Sequence, residues 1–491
     1  IRKIIMGVIR KQSISNSIIF YLGMSIGAIN TVLIYPNVFN DQPEHWGLIQ
    51  LIVAYALVLS TFTSFGIPKV LLKFFPSYRD KSKLLMYSML IPTIGLLFVS
   101  LLYVFLKNEI FLVLKMDPLL QENFIYVFIL IFCISFYEIF SALSRSYLDA
   151  ITPVVLNEFF LKTYTLIILV LHGFKYIDFS TFLLLYVSGY LIKLFILSLI
   201  NLINRRISIS LKLFDLDYKE LFRFGLYVFA GGLSIMIVTR LDMLMIGYLL
   251  DLEQVAFYTL AFYIGNAIAI PGRSVISISV PLISKAWENQ DIKEIDMIYS
   301  KSAINQLIVS GLLFLVVWLN IDEVLSLLPE KFSYGKWVVF YIGLAQLVNM
   351  SCGVNGAIIV NSKYYKYDLY TNLVLLAITV LLNFLLIPIF GINGAAMATA
   401  FSIVFFNLIR LAIIYNKMSI HPFSVKTLLT IFYLFLVYFI CFKFYLDNVF
   451  LSIAVKTLIS SLLFIIICVK ANLSTDINKL ISDLLVRVFK K

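Results

Sequence analysis

Eight ionisable side chains, Glu138, Glu158, Lys162, Lys193, Arg240, Asp242, Arg273 and Arg410, fall inside or at the edges of long stretches that are otherwise almost wholly apolar. A charge at the centre of a bilayer costs at least roughly 2.5–3.5 kcal/mol, so such residues ordinarily face a wet cavity or a partner. Their types narrow the chemistry. Arginine presents a planar fork that donates paired hydrogen bonds to phosphate and keeps its charge when desolvated, which makes Arg240 and Arg273 candidate ligands for an anionic group. Glu158 and Lys162 stand four apart on one helical face, where they either neutralise each other or share a cavity. Arg240 and Asp242 are two apart, roughly 200° around a helix, so they point to different places. Asp242, Glu158 and Glu138 are the candidate coupling or ion-pairing carboxylates. Lys193 and Arg410 lie toward inner helix ends, and Lys443 and Lys456 toward outer ones, where long stems can snorkel to the interface. Asn30, Ser234, Thr239, Tyr263, Asn266, Asn349 and Asn355 suit contacts to sugar hydroxyls or, equally, hydrogen bonds between packed helices.

The elements that carry these residues are fourteen apolar stretches, read as spans 14–38, 46–67, 84–106, 121–147, 152–172, 179–203, 222–250, 254–283, 302–320, 336–360, 367–389, 393–415, 425–446 and 450–470. About 20 apolar residues cross a bilayer as a helix, because only a helix satisfies each backbone group where there is no water. At 61% hydrophobic and 13% charged residues the chain has too little polar surface for a soluble protein. The sequence therefore predicts an all-α polytopic membrane protein with both termini on one side. With the termini placed in the cytoplasm, 28 of the 39 Lys and Arg residues fall on the cytoplasmic side and 5 on the other, as the positive-inside rule requires. The net charge of +12 is thus an orientation signal with attraction to anionic lipid as a by-product, and it calls for no nucleic acid.

A weak repeat divides the spans. Trp46 aligns with Phe257 at an offset of 211, Pro68 with Pro281 at 213, Asn157 with Asn372 at 215, and Leu191–Leu194 with Leu408–Leu411 at 217. Small loop insertions between two copies produce such a drift. Six spans is an even number, so the copies run parallel, related by an axis along the membrane normal, with substrate expected at mid-membrane between them. The expected domains are a six-helix lobe at 1–210, a second at 211–418, an appendix of two helices at 419–472, and a cytoplasmic amphipathic helix at 473–491. That last helix, capped by Ser474, carries Ile477, Leu480, Ile481, Leu484, Leu485 and Val488 on one face and Lys479, Arg487, Lys490 and Lys491 as its basic groups, a pattern suited to the membrane surface.

Several classes are disfavoured. Cys133, Cys352, Cys441 and Cys468 lie in apolar spans at spacings unlike metal ligands, and His45, His172 and His421 are scattered among loops, so no metal site or cofactor is expected. No cleavable signal peptide is evident, and Met6 is a plausible start. The longest outer loop, about 321–335, is too small for a catalytic domain, which argues for transport rather than catalysis. Pro92 and Pro271-Gly272 should kink or break their helices, and Gly231-Gly232 suggests close packing or a bend.

The run Arg240-Leu241-Asp242-Met243-Leu244-Met245-Ile246-Gly247, followed by Val255-Ala256-Phe257-Tyr258, Pro271-Gly272-Arg273-Ser274 and Pro281-Leu282-Ile283-Ser284, resembles the polysaccharide-transport flippases of the multidrug/oligosaccharidyl-lipid/polysaccharide exporter superfamily. The opening Lys11-Gln12-Ser13-Ile14-Ser15-Asn16-Ser17 and the turn Gly391-Ile392-Asn393-Gly394-Ala395-Ala396 are similar to the same family. The resemblance implies two six-helix lobes around a central, often cationic cavity, with two extra helices. It implies flipping of a polyprenyl-pyrophosphate-linked oligosaccharide (an O-antigen, capsule or exopolysaccharide repeat unit) from the inner to the outer leaflet of a bacterial plasma membrane. H+ or Na+ would be the coupling ion, membrane lipids the surroundings, and a polysaccharide polymerase a partner. Arg273, Arg240, Lys162, Asn30 and Asn266 would then line the substrate cavity. A relative that flips a cell-wall precursor carries charged residues in its first span; here that span holds only Asn16 and Asn30. Two rivals stand beside this reading. A cation-coupled multidrug exporter typically has twelve spans, and a membrane-embedded polymerase needs a sizeable outer loop for its acid or base.

Reporter fusions after Lys83, Arg206 and Lys417 should read cytoplasmic, and fusions at Asp41 and Asp251 external; a reversed reading at any two of these overturns the orientation.

Overall fold

The computed structural model describes residues 15–16, 18–78, 80–208, 217–444 and 446–489, and among these the secondary structure is helical, without strands. We number the apolar helices α1 (Ile18–Val38), α2 (Pro43–Ser64), α3 (Lys81–Val113), α4 (Ile125–Ser146), α5 (Ile151–Gly173), α6 (Phe179–Ile203), α7 (Tyr218–Leu249), α8 (Leu252–Glu288), α9 (Ile292–Leu319), α10 (Glu330–Ser351 with Asn355–Asn361), α11 (Lys366–Phe390), α12 (Ile392–Met418), α13 (Val425–Cys441) and α14 (Val449–Lys470). By length and composition 12 of these can cross a membrane, or 13 if α10 counts as one span. That test does not confirm the expected total of fourteen, since it sets aside the short α13. α10 bends by 50° between its two pieces, where Gly353 at φ +60 closes to 2.9 Å of the Ser302 hydroxyl, as measured from an ideal Cβ. α13 has only 17 helical residues, ending at Cys441 instead of 446. The opening Lys11–Ile14 and Ser17, and the side chains of Leu484, Leu485, Arg487 and Val488, lie outside the described residues, as do Lys490 and Lys491.

Polar side chains placed just before the apolar runs start the helices. Asp80, Asp178, Asp217 and Asn448 each accept a hydrogen bond from a backbone N–H in the first turn, and Ser424 and Thr427 form a reciprocal capping box. Two expected features fall elsewhere. α3 carries Pro92 inside the helix, yet its non-helical residue is Leu106. Gly231 and Gly232 have nothing within 4 Å of where a Cβ would sit, so no close helix contact explains them, and α7 runs through both.

The chain separates into two compact units, Ile1–Ala256 and Phe257–Lys491. Compactness and sequence repeat are different criteria: the first unit includes α7, which packs on α2 and on the short helix Ile67–Phe74. Its core joins Val70, Leu71, Leu84, Leu85, Ile139, Leu143 and Leu197. In the second unit, Ile308, Leu315 and Leu319 of α9 pack on Val437 and Cys441 of α13 and Phe464 and Cys468 of α14.

Polar contacts fasten α9 to the C-terminal helices at both ends. At one end Glu323, just beyond α9, is ion-paired with Lys456 and accepts a hydrogen bond from Ser452 at 3.1 Å, and Asn320 donates to Thr457 at 3.2 Å. At the other, Ser474 donates to Asn305, and Asn305 donates to Asp476 at 3.0 Å, at the start of the terminal helix Thr475–Phe489. Lys456 therefore does not snorkel: its side chain and that of Glu323 are 8% and 7% exposed, because a carboxylate placed one turn past α9 meets it inside. Burial pushes the Glu323 carboxyl up, but the hydrogen bond from Lys456 and smaller contributions more than offset this and hold it below its ordinary range.

Glu323→Ala leaves Lys456 buried and unpaired and should cost about 3–5 kcal/mol of stability, read as a lower melting temperature of the purified protein. Because the folded-state pKa of Glu323 is depressed, its contribution is present above the unfolded carboxylate pKa and is lost as pH falls through the folded value. The gap between wild type and Glu323→Gln should accordingly close on acidification.

Candidate functional site

Charge inside the first unit collects where α1 and α5 depart from regular helix. Residues Ile29–Ile34 of α1 and Val155–Phe160 of α5 are π-helical, a geometry that inserts an extra residue per turn and recurs at functional sites. These widened turns belong to helices in intimate contact. A Cβ on Gly23 would lie 2.1 Å from the Glu158 carbonyl oxygen, so only glycine allows the approach. Buried Asn30 donates from Nδ2 to the Lys162 carbonyl at 2.9 Å, and its Oδ1 is buried without a partner.

Around this junction runs a chain of polar contacts. Lys162 Nζ pairs with Glu158 Oε2 at 2.8 Å. Asn157 donates to Glu158 Oε1 at 3.1 Å, and Lys193 of α6 donates to Asn157 Oδ1 at 2.9 Å. Lys193 is 4% exposed and lies 4.3 Å and 4.7 Å from the ring centroids of Tyr137 and Tyr190. It does not snorkel. The amide and the two rings hold it inside, since an ammonium over an aromatic face recovers part of its lost hydration. Tyr137 is itself fixed by donating to the Pro153 carbonyl at 2.6 Å.

Tyr190 carries the cluster on to α7. The Tyr186 and Tyr190 rings pack with centroids 5.8 Å apart, and Arg240 is their electrostatic neighbour, with Nε buried and unpartnered. The structure thus joins Asn30, Lys162 and Glu158 directly, and links Arg240 to them through tyrosines. Glu138 pairs at 3.6 Å with Arg145 on its own helix. Asp242 is buried. Sequence reasoning about the site passed over Tyr137, Asn157, Tyr186 and Tyr190 and set Lys193 aside as interfacial. A signal was present, because 186, 190 and 193 share one face of α6 at helical spacing.

In the second unit, Asn266 ends the first part of α8, a single 3-10 turn occupies Ala267–Ala269, and the helix resumes at Ile270 with Pro271 in its first turn. The irregular turn therefore lies just before Pro271-Gly272, which are themselves helical within one continuous span, and Arg273 follows on the molecular surface. Arg410, the repeat partner of Lys193, does not snorkel either. It is ion-paired with Asp368 of α11 and lies 4.0 Å from the Phe406 ring centroid. In both units the cation of the sixth or twelfth helix is tied to a polar side chain of the helix before it. Asn349 and Asn355 flank the bend of α10 and are bound to Asn407 of α12 at 3.1 Å and 2.8 Å, so these amides brace the bend. The four cysteines are buried.

Gly23→Ala should cost about 1–3 kcal/mol, because α1 must move off α5. Gly232→Ala, with open space around it, should be neutral or stabilising by up to about 1 kcal/mol. Thermal unfolding of the two variants side by side checks the contrast.

Comparison with known proteins places this geometry. The chain is similar over 97% of its length, and 100% of the other chain, to the lipid II flippase MurJ in an inward closed conformation, with a TM-score of 0.73 at 14% identity. It is similar over 81% of its length, and 98% of the other, to an inward-facing multidrug resistance MATE family transporter of the MOP superfamily, at a TM-score of 0.62 and 12% identity. At these identities the likeness establishes the fold. A membrane protein of Methanocaldococcus jannaschii is 25% identical over 458 residues, covering 85% of this chain and 87% of that protein. The polysaccharide biosynthesis protein family matches residues 10–287, more than half of the chain and all of the cation-bearing helices α5 to α7. The chain belongs to the polysaccharide biosynthesis protein family and has the multi-pass membrane fold shared by the MurJ flippase and the MATE transporters.

Proposed function

We propose that this protein is a flippase that carries polyprenyl-pyrophosphate-linked oligosaccharide from the inner to the outer leaflet of a bacterial plasma membrane by alternating access, with both termini cytoplasmic and an H+ or Na+ gradient as the drive. The observation that carries this reading is the cluster of the first unit: Lys162, Lys193 and Arg240 at membrane depth, with Glu158 the only carboxylate in salt-bridge contact with any of them among the described residues. Excess cation inside a membrane protein is costly unless an anionic ligand uses it. A pyrophosphate headgroup supplies that anion, and the neighbouring asparagine and tyrosine groups suit sugar hydroxyls.

The family match and the extent of the MurJ likeness support the reading, since that likeness spans nearly the whole chain, including the C-terminal helices. The MATE likeness reaches less of it, which disfavours a drug exporter. The two parallel six-helix lobes at 1–210 and 211–418, with a pseudo-two-fold axis along the membrane normal, belong to the same proposal. The drifting repeat supports them, as does the matched placement of Lys193 and Arg410. A second reading, a cation-coupled exporter, is favoured only by the fold it shares.

Arg273→Ala should abolish glycan export in cells while leaving expression and thermal stability near normal, and Arg273→Lys should recover only part, having lost the bidentate fork. Normal export by Arg273→Ala would remove that residue from the substrate path.

A further inference from the structure

We propose that Glu158 is the resident counter-ion of an anion site at Lys162, and that a phosphate-class anion displaces it from Lys162 onto Lys193. The proposal rests on the flippase reading for its natural ligand, but not for its geometry. One carboxylate here serves two ammonium groups. Its Oε2 takes Lys162 directly at 2.8 Å. Its Oε1 accepts from Asn157 Nδ2 at 3.1 Å, while Asn157 Oδ1 accepts from Lys193 at 2.9 Å. A neutral amide therefore stands between the second lysine and the charge that would neutralise it. Glu138 acts on Lys193 more strongly than Glu158 does, but it is paired at 3.6 Å with Arg145 on its own helix.

The swap joins two states. In the one observed, Glu158 satisfies Lys162, and Lys193 makes do with an amide and two rings. When an anion takes Lys162, whose side chain is 32% exposed against 4% for Lys193 as a residue, Glu158 loses its partner in a half-buried place. Leaving it unpaired is costly. Lys193 is the cation that Asn157 already links to it. The π-helical turn Val155–Phe160 that carries Asn157 and Glu158 gives the backbone somewhere to move, because such a turn can pass back toward regular helix. Lys193 is on this account a positioning residue: it never meets the anion, and it acts only through Glu158. Binding at Lys162 would then be transmitted from α5 to α6 as a change of partner.

The test is a double-mutant cycle on the full-length protein in phosphatidylcholine nanodiscs, with inorganic pyrophosphate as probe and titration calorimetry as readout. Lys162→Ala should abolish binding. Glu158→Gln removes the competitor and should tighten binding about tenfold, while Lys193→Met, which strands the displaced Glu158, should weaken it by about the same factor. In the Glu158→Gln background Lys193→Met should have no effect, a coupling that a merely structural role for Lys193 does not produce. Lys193→Arg, which keeps the charge, should bind as wild type. Repeating the cycle with phosphatidylglycerol in the nanodiscs separates the sources of the anion. Undiminished pyrophosphate binding by wild type assigns the site to the pyrophosphate class, and binding that weakens in proportion to the phosphatidylglycerol content assigns it to a phospholipid headgroup, with the swap intact in either case. Additive effects of the two substitutions, weaker binding in Glu158→Gln, or no pyrophosphate binding by wild type would overturn the swap. Glycan export by the same variants is read separately. A sound cycle without export anywhere sinks the flippase reading alone, and normal export with an additive cycle sinks the swap alone.

Discussion

In a bilayer, nothing outside the protein can satisfy a polar group, and most of this structure follows from that. Backbone satisfaction requires the helices. Charge satisfaction decides which helices must touch, because each ammonium or guanidinium left at depth has to find an acceptor on a neighbour. The buried contacts Lys193–Asn157, Arg410–Asp368 and Lys456–Glu323 are the points where α6 meets α5, α12 meets α11, and α14 meets the segment after α9. Apolar packing alone discriminates poorly among helices in lipid, where tails are as apolar as leucine. These polar pairs supply the register that packing lacks.

The three contacts also divide by balance. Lys456 and Arg410 each have a carboxylate of their own, so each pair is neutral and closed. Lys193 has an amide and two aromatic faces, and the carboxylate one step further on is shared. Arg240 continues the same excess, with Nε buried and unpartnered beside two phenols. A neutral closed pair is a brace. An incompletely neutralised cluster is costly to hold unless a ligand completes it, and in this unit it sits beside two π-helical turns, the least regular backbone of α1 and α5.

The C-terminal appendix takes its place by the same logic. α13 and α14 lie outside the repeat, yet α9 holds α14 by Asn320 and Glu323 at one end and reaches the terminal helix through Asn305 at the other. Between these contacts lies the apolar core of Ile308, Leu315, Val437 and Phe464. The appended pair is therefore built onto the second unit as part of its framework.

The amino-acid sequence by itself determined the class of protein and the approximate place of nearly every helix. These depend on runs of apolar residues and on helical spacing, which are local properties. It also signalled an irregularity of α8 near Pro271-Gly272, found just before it at Ala267–Ala269, and set Glu158 and Lys162 on one helical face, because both are matters of one turn or so of chain. What it could not decide was the partner of a charge on another helix. Lys193, Arg410 and Lys456 read equally well as snorkelling residues, since a long stem at a helix end has two ways to escape lipid. Only the neighbour brought there by tertiary packing selects between them. The break of α3 at Leu106, the bend of α10 at Gly353 and the open space at Gly231-Gly232 were hidden for the same reason. A glycine or proline marks where a helix is permitted to yield, and the packing around it decides whether it does.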